Sequence, residues 1–407
     1  MKKENKYLAL TPSKKALKII SNWLEEEKDG DFKSRKKAAD EFKKCLIKTD
    51  DGSYTLYSDE CSPKPEKMHT YHGAVTESLE KFVKPANLEE KKNIQILDLC
   101  SGLGYNTASC IEYLDKEKEI EIDMVEISKE TVAAALLIEN PFKSYKILKS
   151  FVEEKLYKDR YLGFKSYNEK ITDGININIY IEDARVIVKN FENKKRYDAI
   201  FLDSFSPHKS PELFTFDFLL KLKNLLKDDG LILTYTAAAP VRSAMVLSGL
   251  HVGIGPRFGR GGGTVASKNV KFINKSLTME DERMIALSDV GVPYRDPEFN
   301  RTSLEIIDMR KKERQYVRGF SKFASTVKSP LYLNEEIEDS RIKRRVLKNM
   351  NKLGIESLKS KKAAYIVCPQ FKECICTCGI GKLDNSKDRI NEMNKRLEFI
   401  LNNENVI

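Results

Sequence analysis

No stretch of about 18 consecutive apolar residues occurs in this chain, so nothing in it reads as a transmembrane helix. The opening residues, MKKENKYLALTPSKK, are charged but lack the apolar core and small-residue cleavage site of a secretory signal. Cytoplasmic residence is therefore the expectation, and no membrane partner. No internal repeat is present. A full G-x-G-x-x-G turn is also missing: three residues after Gly104 stands Thr107. That disfavours a loop built to grip a pyrophosphate, and with it a dinucleotide. The cysteines contain no C-x-x-C pair, and tryptophan occurs once.

What the chain does have is 407 residues, 41% of them hydrophobic, with a formal net charge of +10 from 71 Lys and Arg against 61 Asp and Glu. That length supports one large core and a smaller second module. The basic surplus permits an anionic partner such as RNA, although Lys-rich surfaces also arise from genome composition or growth at high temperature. Four cysteines, Cys45, Cys61, Cys100 and Cys110, are scattered, as in a reducing compartment. The other four, Cys368, Cys374, Cys376 and Cys378, fall within eleven residues.

Residues 1–50 have a helical rhythm with Leu17, Ile20, Trp23 and Leu24 on one stripe. Asp51 and Gly52 turn the chain into the alternating SYTLYS, which reads as a hairpin, and Gly73 opens a helix. From Ile94 onward, strands are expected at 94–99, 120–125, 176–181, 197–203 and 230–236. Helical patterns at 105–115, 129–139, 183–191, 212–226 and 239–248 alternate with them. Such alternation calls for parallel pairing with helices on both faces, a doubly wound α/β sheet. An inserted helix containing Leu148 to Leu156 fills the long second crossover, and a hairpin around 251–254 and 263–267 closes the sheet. The expected organisation is an N-terminal helical extension (1–50), a core domain (51–268), a helical and loop appendage (269–335), and a basic, Cys-rich module (336–407).

In an open parallel sheet, ligands sit beyond the carboxyl ends of the strands where the strand order reverses. Asp98 closes the first strand, and Ser101, Gly102 and Gly104 form a turn that lets backbone approach a ligand closely. Glu126 ends the second strand, placed to accept hydrogen bonds from two ribose hydroxyls. Glu182 and Asp183, with Ala184 behind them, close the third, where a carboxylate can accept from an adenine amino group. Each acid alone could be a solvated strand end or a helix cap. Together they point to an adenosyl group without a pyrophosphate, and so to S-adenosylmethionine.

The fourth strand delivers Asp203, followed by Ser204, Phe205, Ser206, Pro207 and His208. Asp203 is the candidate for orienting an amine acceptor and taking its proton; as an alternative, it caps the following helix. His69, His72 and Glu77 have a spacing unlike standard zinc patterns, and the adjacent Gly73 points instead to a loop touching ligand, with His72 as its candidate contact. Arg257, Phe258 and Arg260, in PRFGRGGGT, combine cations and a ring able to hold a phosphate and stack a base, or form a plain hairpin turn.

DGSYTLYSDE, YHGAVTES, LDLCSGLGYNT, FLDSFSPHKSPELF, LILTYTAAAPVRSAMVLSGL and GPRFGRGGG together resemble the MnmC-like methyltransferases, over residues 50–330. The resemblance implies a Rossmann-like class I methyltransferase sheet, mostly parallel with a closing antiparallel hairpin. It implies S-adenosylmethionine as donor and the aminomethyl group of a tRNA wobble uridine as acceptor, with no DNA partner. It also implies that Asp203, Phe205 and Pro207 line the active site. An FAD-dependent oxidase half is missing, and the Cys-bearing extension lies outside the common pattern. Methylation of a protein or small metabolite in the same site, and aminopropyl transfer, are the alternatives. The loop LCSGLGYN departs from the G-G-G-[DE]-G of polyamine synthases.

In CPQFKECICTCG, Cys374, Cys376 and Cys378 alternate, so on a strand their thiols would share a face, with Cys368 returning as fourth ligand. Four thiolates suit Zn or an iron–sulfur cluster; the alternative is a reduced, partly buried thiol cluster. With the basic run Arg341 to Lys352 before it, the module is a candidate RNA or protein docking element.

Overall fold

The computed structural model describes residues 13–57, 69, 71–114, 117–139, 142–167, 174–192, 194–258 and 261–403. In chain order the elements begin with α1 (Lys14–Lys28), α2 (Ser34–Phe42), β1 (Ile47–Lys48), β2 (Tyr54–Thr55) and α3 (Ala74–Ser78). The core alternation follows as β3 (Asn93–Leu99), α4 (Tyr105–Tyr113), β4 (Glu119–Glu126), α5 (Lys129–Leu137), α6 (Lys143–Lys158), β5 (Ile175–Ile181), α7 (Ala184–Phe191) and β6 (Tyr197–Leu202). It continues through α8 (Phe216–Leu225), β7 (Leu226–Thr234), α9 (Ala239–Leu247), β8 (His251–Phe258) and β9 (Gly261–Ser267). The remaining helices are α10 (Met279–Leu287), α11 (Ser303–Val317), α12 (Ser340–Asn351), α13 (Lys361–Val367) and α14 (Ser386–Asn402).

Seven strands form one sheet in the order β5-β4-β3-β6-β7-β9-β8. The pairs β5-β4, β4-β3, β3-β6 and β6-β7 are all parallel. This is the parallel-stranded α/β sheet expected from the alternation, and the Rossmann-like sheet that the resemblance implied. Strand β6 (YDAIFL) is buried along its whole length, the pattern of a strand covered on both faces. The chain lays β3, β4 and β5 in one direction, then crosses back to place β6 on the other side of β3. The strand order therefore reverses between β3 and β6. The fifth strand starts earlier than its pattern suggests, at Leu226, where Lys227 pairs with buried Asp198 at 2.7 Å.

The chain forms two compact units. One comprises Met1–Ser210, Asn224–Tyr235 and Gly255–Gly263, and the other Pro211–Lys223, Thr236–Ile254 and Thr264–Ile407. In the second, Ile285, Leu287, Phe323, Met393 and Leu397 are core residues, and buried Glu282 receives Arg389 at 2.7 Å. Among the described residues, no helix is long and apolar enough to cross a membrane.

In the first unit, α1 buries Ala16, Ile20, Trp23 and Leu24; Leu17, expected on that stripe, is only half-buried. The inward face is centred one residue earlier and ends on Glu27, which is fully buried. Trp23 Nε1 donates to Glu27 at 2.6 Å, and the Arg35 guanidinium spans from Glu27 to Glu153 on α6. The N-terminal helices are thus clamped onto the inserted helix by one cation between two buried carboxylates. Burial opposes charge on Glu153, but hydrogen bonds from Tyr167, Arg35 and Ser166 outweigh it and hold its carboxyl below the usual range.

The β1-β2 hairpin fastens the start of α3. Asp51 accepts from Ser53 N, Thr49 Oγ1, Thr76 N and Thr76 Oγ1, and Ser53 Oγ accepts from Ala74 N. Gly73 has φ +119°, and a Cβ there would lie 1.9 Å from Asp51 Cγ. Only glycine allows both the backbone and the carboxylate to occupy this place.

Replacing Arg35 by Ala strands two buried carboxylates and is expected to cost about 3–5 kcal/mol in urea unfolding. Because the Glu153 pKa is depressed in the folded state, its share of stability is fully present above the unfolded carboxylate range. It is lost as pH falls through the folded value, so the gap between wild type and Arg35→Ala should narrow on acidification.

Candidate active site

The carboxyl ends of β3, β4, β5 and β6 bring the sequence-predicted residues of the core to one edge of the sheet. The turn after β3 is tight: Cys100, Gly102 and Gly104 have φ of 60°, 55° and 78°, and Gly104 N donates to Ser101 O at 2.7 Å. A Cβ on Gly104 would lie 2.5 Å from Leu148 Cδ2. Glycine is needed there for close packing against α6 as well as for backbone angle. Ser101 is 5% exposed, and its Oγ has no hydrogen-bond partner among the described residues.

Asp98 lies beneath this turn, fully buried, accepting from Thr107 Oγ1 at 2.9 Å and Asn106 Nδ2 at 3.4 Å. Burial pushes its carboxyl up to about 6, against the opposing hydrogen bonds of Thr107 and Asn106. Its contacts are with α4, so it shapes the turn from below. Glu126 is tied to the same turn: one carboxylate oxygen accepts from Gly102 N and the other from Ser128 N, each at 3.1 Å. Burial raises its pKa despite these donors.

Asp183 is the N-cap of α7, accepting from Arg185 N at 2.8 Å and pairing with the Arg185 guanidinium at 2.7 Å. The helix-cap alternative is what the structure shows at this residue, and a carboxylate oxygen has more than one lone pair. Glu182 is exposed and accepts from Asp183 N at 2.9 Å, while Ala184 is buried in the first turn of α7.

Asp203 follows β6, with its own N–H donating to Leu99 O at 3.3 Å, so it sits at the strand-order reversal. Its carboxylate accepts from Asn106 Nδ2 at 3.1 Å, rather than from a helix N-terminus. Burial pushes its pKa up to about 7, with further increments from the charges of Glu77 and Asp98, while Asn106 works the other way. The following loop turns on Ser206 O, which accepts from Lys209 N at 2.7 Å and Ser210 N at 2.9 Å; Pro207 is buried and Phe205 half-buried.

Asn106 went unnoticed in the sequence. Only 4% exposed, it bridges two carboxylates with Nδ2, and its Oδ1 has no partner among the described residues. The signal available was an amide directly after the glycine turn, in the first turn of a helix where every neighbour is buried. Glu77 is likewise buried, paired to Lys81 at 3.1 Å.

His72 and Phe258 lie far apart in sequence, yet their rings meet edge-on at 5.3 Å. Both were expected near a ligand; Arg257 beside them is exposed, and Arg260 lies outside the described residues. His69 instead packs its ring on Tyr105 at 5.4 Å and bonds to Thr55 Oγ1 at 3.2 Å; burial lowers its pKa to about 4. Among the described residues, His69, His72 and Glu77 do not gather into a metal-capable group, whereas Cys368, Cys374, Cys376 and Cys378 do. The strand expected for these cysteines is absent: 371–378 is a series of bends, with Thr377 at φ 69°. The thiols converge through loop curvature, not strand alternation.

Residues 148–269 match a family model described as S-adenosyl-L-methionine-dependent methyltransferase. The chain is 36% identical over 315 residues to the uncharacterized protein MJ0670 of Methanocaldococcus jannaschii, covering 76% of this chain and 84% of that one. It is 30% identical over 171 residues to the Leptospira interrogans tRNA 5-methylaminomethyl-2-thiouridine biosynthesis bifunctional protein MnmC. That match covers 40% of this chain and only 25% of the bifunctional protein. Among solved structures, MnmC2 from Aquifex aeolicus aligns with TM-score 0.53 and 30% identity, over 67% of this chain and 85% of that one.

Because Asn106 opposes the upward shift at Asp203, Asn106→Ala is expected to move the Asp203 titration midpoint above about 7. Carboxyl-carbon NMR of the donor-free protein, with Asp203→Asn to assign the signal, measures it; an unmoved midpoint contradicts the bridge.

Proposed function

The chain belongs to the MnmC-like family of S-adenosylmethionine-dependent methyltransferases, and on that premise we propose that it N-methylates the aminomethyl group of a tRNA wobble uridine. The observation that carries the reading is the Asp203 carboxyl. It lies at the strand-order reversal, held by Asn106, with a pKa near neutrality. That is the property needed to accept a proton from an amine at working pH.

The residues at the sheet edge suit the donor. Ser101 Oγ is buried with no partner among the described residues, Cys100, Gly102 and Gly104 of the turn have positive φ, and Glu126 holds Gly102 N while keeping acceptor capacity for ribose hydroxyls. Asp183 fits an adenine amino group in the same way. Missing glycine at Thr107 argues against a pyrophosphate-bearing ligand. S-adenosylmethionine, when bound, supplies a methyl group made electrophilic by its sulfonium.

The transfer is an in-line displacement in which the protein's work is alignment and exclusion of water. The acceptor nitrogen must be neutral to present its lone pair. Asp203 in its charged form orients that amine through an N–H hydrogen bond. As the N–C bond forms at the expense of the donor's S–C bond, whose sulfur leaves as a neutral thioether, the nitrogen becomes cationic and its proton passes to the Asp203 carboxylate, directly or through one water. Asn106, bonded to Asp203, fixes the carboxylate for this exchange. Phe205 and Pro207 shape the acceptor side, while His72, Phe258 and Arg257 suit an unstacked base and its phosphate.

Helix α12 supports an RNA substrate. Val346 and Met350 are buried, while Arg341, Lys343, Arg344, Arg345 and Lys348 are exposed. A cationic face anchored by an apolar stripe offers contacts to phosphates without sequence preference.

Total tRNA from cells lacking this protein should carry the unmethylated aminomethyl uridine, and purified protein with labelled donor should methylate it. If donor binds but label enters a protein or metabolite fraction instead, the substrate assignment is wrong. Asp203→Asn should lower kcat by about 10²–10⁴-fold while donor binding persists. Below about pH 7 the Asp203 carboxyl is protonated and cannot take a proton, so wild-type activity should rise through that range. The variant's residual activity should lack that limb. Reversing Arg344, Arg345 and Lys348 to Glu should raise the KM for tRNA at least several-fold and flatten its salt dependence, with kcat kept.

A further inference from the structure

The four clustered thiols form a shape as well as a group. Cys368 Sγ lies 3.8 Å from Cys374 Sγ and 4.0 Å from Cys378 Sγ. Cys374 Sγ lies 4.0 Å from Cys376 Sγ and 3.7 Å from Cys378 Sγ, and all four sulfurs fall within 4.8 Å of one another. A tetrahedral ion with Zn–S bonds of about 2.3 Å places its sulfurs about 3.8 Å apart. An iron–sulfur cube requires each thiolate on a separate iron, which spreads the sulfurs well beyond this spacing. The arrangement is that of a single ion.

The surrounding structure is built for thiolates. Thr377 and Gly379 have φ of 69° and 75°, which curls the loop that carries three of the sulfurs. Arg396, only 2% exposed, reaches Cys376 Sγ at 3.9 Å with Nη1 and Cys378 Sγ at 3.6 Å with Nη2. Its guanidinium is held by Glu392 at 2.8 Å and Tyr365 O at 2.8 Å, and stacks over the Tyr365 ring at 4.6 Å. Four thiolates around a divalent ion carry net charge −2, and a buried cation donating to two of the sulfurs offsets part of it.

We propose that Cys368, Cys374, Cys376 and Cys378 bind one Zn²⁺ in a closed tetrathiolate site, with Arg396 as its outer-sphere partner. No coordination position is left for water or substrate, so the ion is structural. What it secures is visible in the chain beside Cys368. Gln370 accepts from Arg283 Nε at 2.8 Å and donates to Glu282 at 2.8 Å and to Met279 O at 3.0 Å. Glu282 in turn receives Arg389 of α14. Fixing Cys368 to the 374–378 loop therefore ties that loop, which has no helix or strand of its own, to the buried polar network joining α10 and α14.

The full-length chain purified under reducing conditions should contain one zinc per chain, with neither iron nor acid-labile sulfide. Apoprotein refilled with Co²⁺ should show the intense visible d–d bands of tetrahedral tetrathiolate cobalt, and zinc should displace them. Cys374→Ser should lose stoichiometric zinc. As that variant can also misfold, Arg396→Met provides the second arm: it keeps four thiolates and should hold zinc about 10–100-fold more weakly. Wild type that neither carries zinc nor takes up Co²⁺ overturns the proposal. So does stoichiometric iron, or a six-coordinate cobalt spectrum. Every one of these readouts is independent of methyl transfer, so failure here leaves the catalytic reading untouched.

Discussion

The sheet edge at the strand-order reversal depends on one amide placed between a buried acid, Asp98, and a half-buried one, Asp203. Asn106 Nδ2 donates to both Asp98 and Asp203, the residues that terminate or follow the strands on either side of the sheet's reversal. Each carboxyl is raised by burial, and each would rise further without the amide. A charged carboxylate in such surroundings is tolerated only where a donor faces it. The amide thus restrains the upward shift of the Asp203 carboxyl, and ties Asp98 to the first turn of α4.

The same logic of one polar group holding two others recurs across the chain. Arg35 lies between Glu27 and Glu153, Asp51 between its own hairpin and the start of α3, and Glu282 between Gln370 and Arg389. Pairs of this kind add less net stability than their short distances suggest, because removing the charges from water is costly. Their value lies in geometry: an alternative packing would leave one member buried and unpaired. The N-terminal helices and the C-terminal segment lie outside the alternating core, and each is positioned by such a link together with its apolar stripe.

Much of the core was legible in the sequence. The strands and their terminal acids follow from runs such as IQILDL and AIFL, because periodicity is local and a parallel sheet buries its strands on both faces. Gly102 and Gly104 announced a turn at positive φ, and Gly73 a helix start, because only glycine is at ease there. The presence of the inserted α6 was readable from an overlong crossover. What misled was the alternation of Cys374, Cys376 and Cys378, whose period of two suggested a strand. Thr377 and Gly379, both at positive φ, break that backbone.

By itself, then, the sequence determined the order of strands and helices, the glycine turn, and the acids at the strand ends. Tertiary structure decided which of these groups meet: Asn106 with Asp203, His72 with Phe258, Arg35 with Glu153, and Cys368 with the 374–378 loop. Elements form through interactions a few residues apart, so their pattern is written along the chain. Contacts between distant side chains depend on which strands become neighbours and how the helices seat upon them, and no spacing in the sequence encodes that.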